Sequence, residues 1–383
     1  MPAIIFIPII SAIIIFIFIV LLYYRYRKNN KFLLQDQTDL IPANASYEFL
    51  DAKEDKSVFK SYNTLLAETL QNHDVSSIYL IHGTFVGNDP FQIVDLFSEV
   101  FPRLGTKLIS TIKEKTKQTQ NIFAKDLGNF TDEHVDNIRT MTGNRFNVHN
   151  ITWSSGNNHL ARVKGAIDLI QKLSTESPNS RVLLLGHSHA GQLFALITQL
   201  MNIPSLEKKL KTMTKNIIPD SDWEDINKQI KKMRTLKFDI VTMGTPQRYE
   251  WKLSANIKLL HFINHRGTSV FGGDVKGALN TIDGDYIQQW GIVGSDIVSP
   301  LKEEKLINIE LDSIFGAGSN LEELRKNIIF RKRLHSEGHH ILVNYKDNAK
   351  YPNFLLTIFG HGSYTKFGYL GFHFEEICKR LYK

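Results

Sequence analysis

The chain has 383 residues, 42% of them hydrophobic and 22% charged, which is ordinary for a globular protein and enough to bury one large domain. Its net charge of +7 suits a location near anionic lipid head groups, and no zinc knuckle, RNP-type motif or basic zipper helix indicates nucleic-acid binding. The single cysteine, Cys378, excludes an intramolecular disulfide framework and a cysteine-rich metal site.

The N-terminal segment predicts a single-pass membrane anchor. Residues 3–22 (AIIFIPIISAIIIFIFIVLL) carry no charge and supply about the 20 apolar residues that cross a bilayer as a helix. Aromatic and basic residues follow: Tyr23, Tyr24, Tyr26, Arg25, Arg27, Lys28 and Lys31. The positive-inside rule then places the body of the protein in the cytoplasm. A cleavable signal peptide is the alternative, but no basic residue precedes the run and no Ala-x-Ala site follows it.

The rest of the chain predicts one α/β domain. Residues 23–74 are polar and mixed, and we interpret them as a tether with some helix. Beyond them, apolar runs predict strands at residues 75–81, 146–153, 181–185, 238–243, 257–264 and 340–345. Helical segments alternate with these runs, which indicates a mostly parallel sheet flanked by helices over residues 75–383. Residues 206–236 are basic and amphipathic, and predict a helical insert that is either a lid or a solvated helix.

Residues 186–191 (GHSHAG) carry the most specific signal. They follow a four-residue apolar run and precede an amphipathic helix, which is the context of a nucleophile held on a strained strand-to-helix turn. Such a turn needs small residues around the nucleophile, and Gly186, Ala190 and Gly191 meet that need. Ser188 is therefore the predicted nucleophile. His187 and His189 are not expected to bind a metal, because their side chains diverge on so tight a turn.

A serine nucleophile requires two backbone N–H groups to hold the tetrahedral oxyanion. His189, directly after the nucleophile, is expected to supply one of them. The other is expected from the loop after the first predicted strand, where Gly83 allows a close backbone approach and Thr84 follows it.

After a serine on such a turn, the acid is expected next in the chain, and the histidine that acts as the base is expected last. His361 lies between two glycines after the last predicted strand, which leaves its ring free to reach the serine. The acid is open among aspartates that follow the fifth predicted strand. Asp274, Asp283, Asp285 and Asp296 all qualify by position. Asp285, in GDY, ranks first, Asp296, in GSDIVSP, second, and Asp274 third.

These residues resemble the α/β-hydrolase superfamily, in its lipase and esterase branch. The resemblance covers roughly residues 75–383, and includes the stretches IHGTFVGNDPF, ITWSSGNNHLARVKGA, VTMGTP, GDYIQQWGIVGSD and GHGSYTKFGYLGFH. Asp285 ranks first among the candidate acids because its GDY stretch is the firmer part in similar sequences. It implies hydrolysis of an ester or lipid-like substrate through an acyl-enzyme, without a metal or organic cofactor. Two alternatives remain: an acyltransferase or thioesterase with the same triad, and a catalytically silent binding module tethered to the membrane.

Overall fold

The computed structural model describes residues 46–55, 57, 61–83, 126–265, 284–285, 287–288, 296–299, 301–316, 334–346 and 360–383. All of them belong to one compact unit, residues 40–383. In these ranges we find no helix with both the length and the apolarity of a membrane span. The predicted anchor, residues 3–22, lies outside the described residues.

Seven strands of the described chain form one sheet in which every pair is parallel. Their order across the sheet is β1-β7-β6-β5-β4-β2-β3. The strands are β1 (Ser46–Lys53), β2 (Val75–Ile81), β3 (Asn147–Ile151), β4 (Arg181–His187), β5 (Lys237–Met243), β6 (Ile257–Asn264) and β7 (His339–Lys346). The prediction of a mostly parallel α/β sheet is therefore confirmed, and six of the strands fall where apolar runs predicted them.

Helices cover both faces of the sheet. They are α1 (Thr64–Asn72), α2 (Asp132–Met141), α3 (His159–Leu173), α4 (Ala190–Asn202), α5 (Pro204–Thr214), α6 (Asp220–Met233), α7 (Lys302–Phe315) and α8 (Leu370–Leu381), with 3-10 turns at His361–Thr365 and Phe367–Tyr369. One hydrophobic cluster joins the sheet to α3–α7, and a second joins it to α1, α2 and α8. Parallel strands covered on both faces are largely apolar, which explains the apolar runs in the sequence.

Strand β4 illustrates how the two faces are built. Val182 and Leu184 belong to the cluster on the α3–α7 side, and Leu183 and Leu185 belong to the cluster on the opposite side. Successive side chains of a strand point to opposite faces, so a strand in the middle of the sheet buries all four. Packing on both faces thus holds β4 in place, and Ser188 follows directly after its last residue, His187.

Strand β1 is where the fold differs from the sequence interpretation. Ser46–Lys53 lies in the segment interpreted as a tether, residues 23–74, yet it pairs in parallel along its whole length with β7. Its partner is nearly the whole domain away along the chain, and its side chains are mostly exposed or half-buried at the sheet edge. An edge strand of this kind carries little hydrophobic pattern, because its stability comes from a non-local ladder of hydrogen bonds.

The insert at residues 206–236 is helical as predicted, and consists largely of α5 and α6. Their apolar sides are buried in the main core through Leu206, Leu210, Trp223, Ile226, Ile230 and Met233. The two helices thus belong to the helical layer of the domain, and a role as a lid stays a prediction.

The direction in which successive strands are added to the sheet reverses between β2 and β4. From β2 the chain continues to β3 at one edge, whereas from β4 it continues through α4–α6 to β5 on the other side. The strands that follow β2 and β4 in the chain therefore lie on opposite sides of this pair. In open parallel sheets, ligands bind at the carboxyl ends of the strands at such a switch point.

Candidate active site

Ser188 stands on a sharp turn between β4 and α4, at the switch point. Its φ is 56°, in the left-handed region that a residue with a side chain rarely adopts. The turn is held on both sides: the Ser188 N–H donates to Met243 O at 2.8 Å, and Thr245 Oγ1 donates to Ser188 O at 2.7 Å. A strained serine fixed in this way matches the backbone of a nucleophile turn.

The small residues around Ser188 are needed for close packing. A Cβ at Gly186 would overlap the ring of Phe194 on α4, and one at Gly191 would overlap the side chain of Thr245. Ala190 replaces the second glycine of the usual spelling, and its Cβ would lie 3.3 Å from a Cβ at Gly186. The methyl group of Ala190 is thus accommodated only because position 186 is glycine.

His361 and Asp285 form a buried pair at the carboxyl ends of the strands, where Ser188 also lies. His361 Nδ1 lies 2.7 Å from Asp285 Oδ2, and the side chains are 8% and 0% exposed. A carboxylate only accepts, so Nδ1 carries the proton and Nε2 of the neutral ring is left with its lone pair. Nε2 is buried and makes no hydrogen bond. The ring is therefore in the tautomer required of a general base.

Two further donors hold the Asp285 carboxylate. Tyr364 Oη donates to Oδ2 at 2.9 Å, and the Gln288 N–H donates to Oδ1 at 2.8 Å. Tyr364 Oη also accepts from the N–H of Asn264, the last residue of β6, at 2.8 Å. Donors that converge on a carboxylate favour its ionised form. The Asp285 carboxylate is thus fixed in position relative to β6.

His187 ties His361 to the turn that carries Ser188. Its Nε2 donates to the carbonyl oxygen of His361 at 2.9 Å, and the two rings lie 4.5 Å apart. Burial, and next the charge of a protonated His361, lower the pKa of His187 to about 3. His187 therefore stays neutral near pH 7, and does not compete with His361 for a proton.

The other candidates for the acid do not meet His361 in the described residues. The Asp296 carboxylate lies 2.7 Å from Arg162 Nη2 and 2.9 Å from Arg248 Nη2, in a separate ion cluster. Asp296 therefore contacts two guanidinium groups and is not the partner of the histidine. Asp274 and Asp283 lie outside the described residues.

The oxyanion residues are described in part. His189 is buried and stands as the N-cap of α4, directly after Ser188. Gly83 lies so close to the turn that a Cβ there would overlap Ser188 Cβ, which agrees with the expected close approach of that loop. Thr84 lies outside the described residues.

Three supporting residues were not singled out from the sequence: Tyr364, Gln288 and Thr245. Thr245 O accepts from Gln288 Nε2 and from His335 Nε2, each at 3.1 Å, while its hydroxyl donates to Ser188 O. Thr245 thereby joins the serine turn to the acid loop. The motif VTMGTP marked this position, but no sequence signal shows where its hydrogen bonds go.

Comparison with protein-family models finds no match, and neither curated proteins nor solved structures yield a similar protein. In the described ranges, no group of three or more His, Cys, Asp or Glu side chains is arranged to hold a metal ion.

Proposed function

We propose that this protein is a serine hydrolase of the α/β-hydrolase class that cleaves carboxylic esters. One observation carries the proposal: His361 is held by Asp285 at 2.7 Å with its other ring nitrogen buried and unbonded, at the sheet edge where Ser188 occupies a strained turn. A nucleophile, a base and an acid that orients the base are the three parts of acyl-transfer catalysis.

The reaction uses these parts in sequence. His361 Nε2 takes the proton of Ser188 Oγ as the oxygen attacks the ester carbonyl. Asp285 stabilises the imidazolium that forms, and the N–H groups expected from His189 and Thr84 hold the oxyanion. His361 then gives its proton to the leaving alcohol. Water then attacks the acyl-enzyme while His361 takes its proton. His361 returns that proton to Ser188 Oγ as the acid is released.

Location at a membrane is a separate proposal that depends on sequence. An anchor at residues 3–22 would keep the hydrolase at the cytoplasmic face, near lipid-like esters. Deleting residues 1–30 should move the protein from the membrane fraction to the soluble fraction, with ester hydrolysis retained.

A fluorophosphonate probe tests the proposed function directly. We expect the wild type to be labelled and Ser188→Ala to be unlabelled. Ser77→Ala is the matched control, since it removes a buried hydroxyl on β2 away from the site and should leave labelling intact. A folded wild type that resists the probe would favour the binding-module alternative. If labelling occurs, hydrolysis of 4-nitrophenyl esters with and without added alcohol or thiol separates a hydrolase from a transferase.

A further inference from the structure

Two buried arginines near the serine turn share a single carboxylate. Arg162 on α3 donates to Asp296 Oδ1 at 2.7 Å, and Arg248, in the loop after β5, donates to Asp296 Oδ2 at 2.9 Å. The side chains are 0%, 2% and 6% exposed for Arg162, Arg248 and Asp296. We call these three residues the arginine cluster.

The arginine cluster carries an excess of positive charge. Guanidinium groups do not lose their proton in proteins, so two positive charges face one negative charge. His159, beside them, adds no charge near pH 7, because burial and then Arg162 lower its pKa to about 3. Asp312 is 35% exposed and contacts His159 Nε2 at 3.2 Å. Among the described residues, no other carboxylate forms an ion pair with either arginine.

Arg248 keeps unused donors in this buried place. Its Nε and Nη1 are buried and make no hydrogen bond, whereas its Nη2 also lies 3.3 Å from His159 Nε2 and its Cζ lies 5.9 Å from the centroid of the Tyr249 ring. A buried charged donor without a partner is costly, and native structures leave few of them. Such a donor is available to a ligand that the chain itself does not supply.

The arginine cluster lies beside the proposed catalytic serine. The loop that carries Arg248 is bonded to the turn through Thr245, and Tyr249 N donates to Gln192 Oε1, in the first turn of α4, at 3.1 Å. The pKa of His189 lies well below its usual value, mainly through burial and then through the charges of Arg162 and Arg248. Hydrogen bonds at Thr245 and Tyr249 thus tie the loop that carries Arg248 to the turn that carries Ser188 and to the start of α4.

We propose that Arg248, oriented by Asp296 and backed by Arg162, binds an anionic oxygen-bearing group of the substrate, so that the protein prefers esters that also carry a carboxylate or a phosphate. This inference rests on the proposed hydrolase function. Arginine forms its strongest hydrogen bonds with these two groups. A ligand with one negative charge would also balance the excess charge of the arginine cluster.

Two substrate pairs that differ only in charge test the inference. One pair is the monomethyl half-ester of adipic acid and dimethyl adipate; the other is 1-butanoylglycerol 3-phosphate and 1-butanoylglycerol. We expect the wild type to prefer the anionic member of at least one pair in kcat/KM. Arg248→Gln should lower kcat/KM for that member by roughly 10- to 100-fold, the effect of one charge-assisted hydrogen bond, and change the neutral member far less. The pair that responds identifies carboxylate or phosphate.

Arg181→Gln is the matched control, because Arg181 forms a similar pair with Asp239 at the other end of β4 and β5, 2.9 Å apart. It should leave the anionic preference intact. If Arg248→Gln does not fold, Arg248→Lys, which keeps the charge, takes its place. It is compared with the wild type in the ratio of kcat/KM for the anionic member to kcat/KM for the neutral member. No anionic preference in either pair, or equal losses on both members in Arg248→Gln, would overturn the inference. Fluorophosphonate labelling of Ser188 in these samples shows whether the hydrolase proposal itself still stands.

Discussion

At the scale of single residues, the site depends on which aspartate meets His361. Sequence order left Asp285, Asp296 and Asp274 open, because each follows the fifth predicted strand in a loop. In the structure Asp285 accepts from the imidazole, while Asp296 is taken up by Arg162 and Arg248. The two aspartates thus differ in their charged partners: Asp296 pairs with two guanidinium groups, and Asp285 pairs with the imidazole.

Asp285→Asn should abolish most of the activity. The amide can donate to His361 Nδ1, which would leave the proton on Nε2 and make the ring unable to act as a base. We expect kcat to fall by roughly 10³- to 10⁴-fold, the scale of a wrong imidazole tautomer. Asp239→Asn, which disrupts the buried pair with Arg181, should lower the melting temperature but keep kcat. Equal activity of Asp285→Asn and the wild type would remove Asp285 from the mechanism.

Tyr364→Phe should have a smaller and different effect. The change removes one donor from Asp285 and leaves the Asn264 N–H buried without its acceptor. We expect the free energy of unfolding in urea to fall by about 1–3 kcal/mol, the cost of an unsatisfied buried donor, with a kcat loss well below that of Asp285→Asn. Tyr79→Phe, which loses the hydrogen bond to Glu176 away from the site, is the control and should leave kcat unchanged.

At the scale of elements, three loops are packed against the turn that carries Ser188 and hold it in place. The loop after β2 contributes Gly83, the loop after β5 contributes Thr245, and the 3-10 turn after β7 contributes His361. Parallel strands bring all their carboxyl ends to one edge, so residues far apart in the chain meet there. A small shift of any one of these loops would move Ser188 relative to His361.

Gly83→Ala tests this packing. The added Cβ would overlap Ser188 Cβ, so either the loop or the turn must move. A displacement of about 1 Å at reacting groups costs on the order of 100-fold in rate, and we expect a loss of that size in fluorophosphonate labelling. Gly165→Ala on α3 is the control: its Cβ would come 2.8 Å from Trp153 Cε3, so it crowds the core and spares the turn. Equal labelling losses in the two variants would argue for general destabilisation.

Thr245→Val tests the hydrogen bonds rather than the space. Valine keeps the shape of threonine and removes the donor to Ser188 O, worth about 0.5–1.5 kcal/mol. We expect a several-fold loss of kcat in a protein that remains folded. Thr142→Val removes a comparable bond, from a buried hydroxyl to Ile138 O, at the end of α2. If both variants lose activity alike, Thr245 has no positioning role.

At the scale of the whole molecule, buried neutral histidines make stability depend on pH. His261, His335 and His340 stack on one another, with centroids 4.2 Å and 4.6 Å from His261. Burial lowers the pKa of His335 to about 4 and of His340 to about 3, and it holds the pKa of His261 well below 6.5.

The sign follows from which state binds the protons. Below pH 6.5 the unfolded chain protonates these histidines and the folded protein does not, so stability is full above that pH and falls toward pH 4. Each such histidine contributes up to about 1.4 kcal/mol per pH unit. Urea unfolding at pH 7, 6 and 5 should show a marked decline, and His340→Asn should reduce the slope. A free energy of unfolding that stays constant between pH 7 and 5 would contradict this prediction.

The sequence by itself determined the parallel α/β class and the place of the serine turn, because both are local patterns. A strand buried on two faces carries a nearly continuous apolar run, as in residues 182–185 of β4, and a crowded turn must have small residues around Ser188. Only the tertiary structure decided that Ser46–Lys53 is the edge strand beside β7. It also decided that Asp285 and not Asp296 meets His361, and that Arg248 keeps unused donors. These relations join residues distant in the chain, and no local pattern records how the strands bring them together.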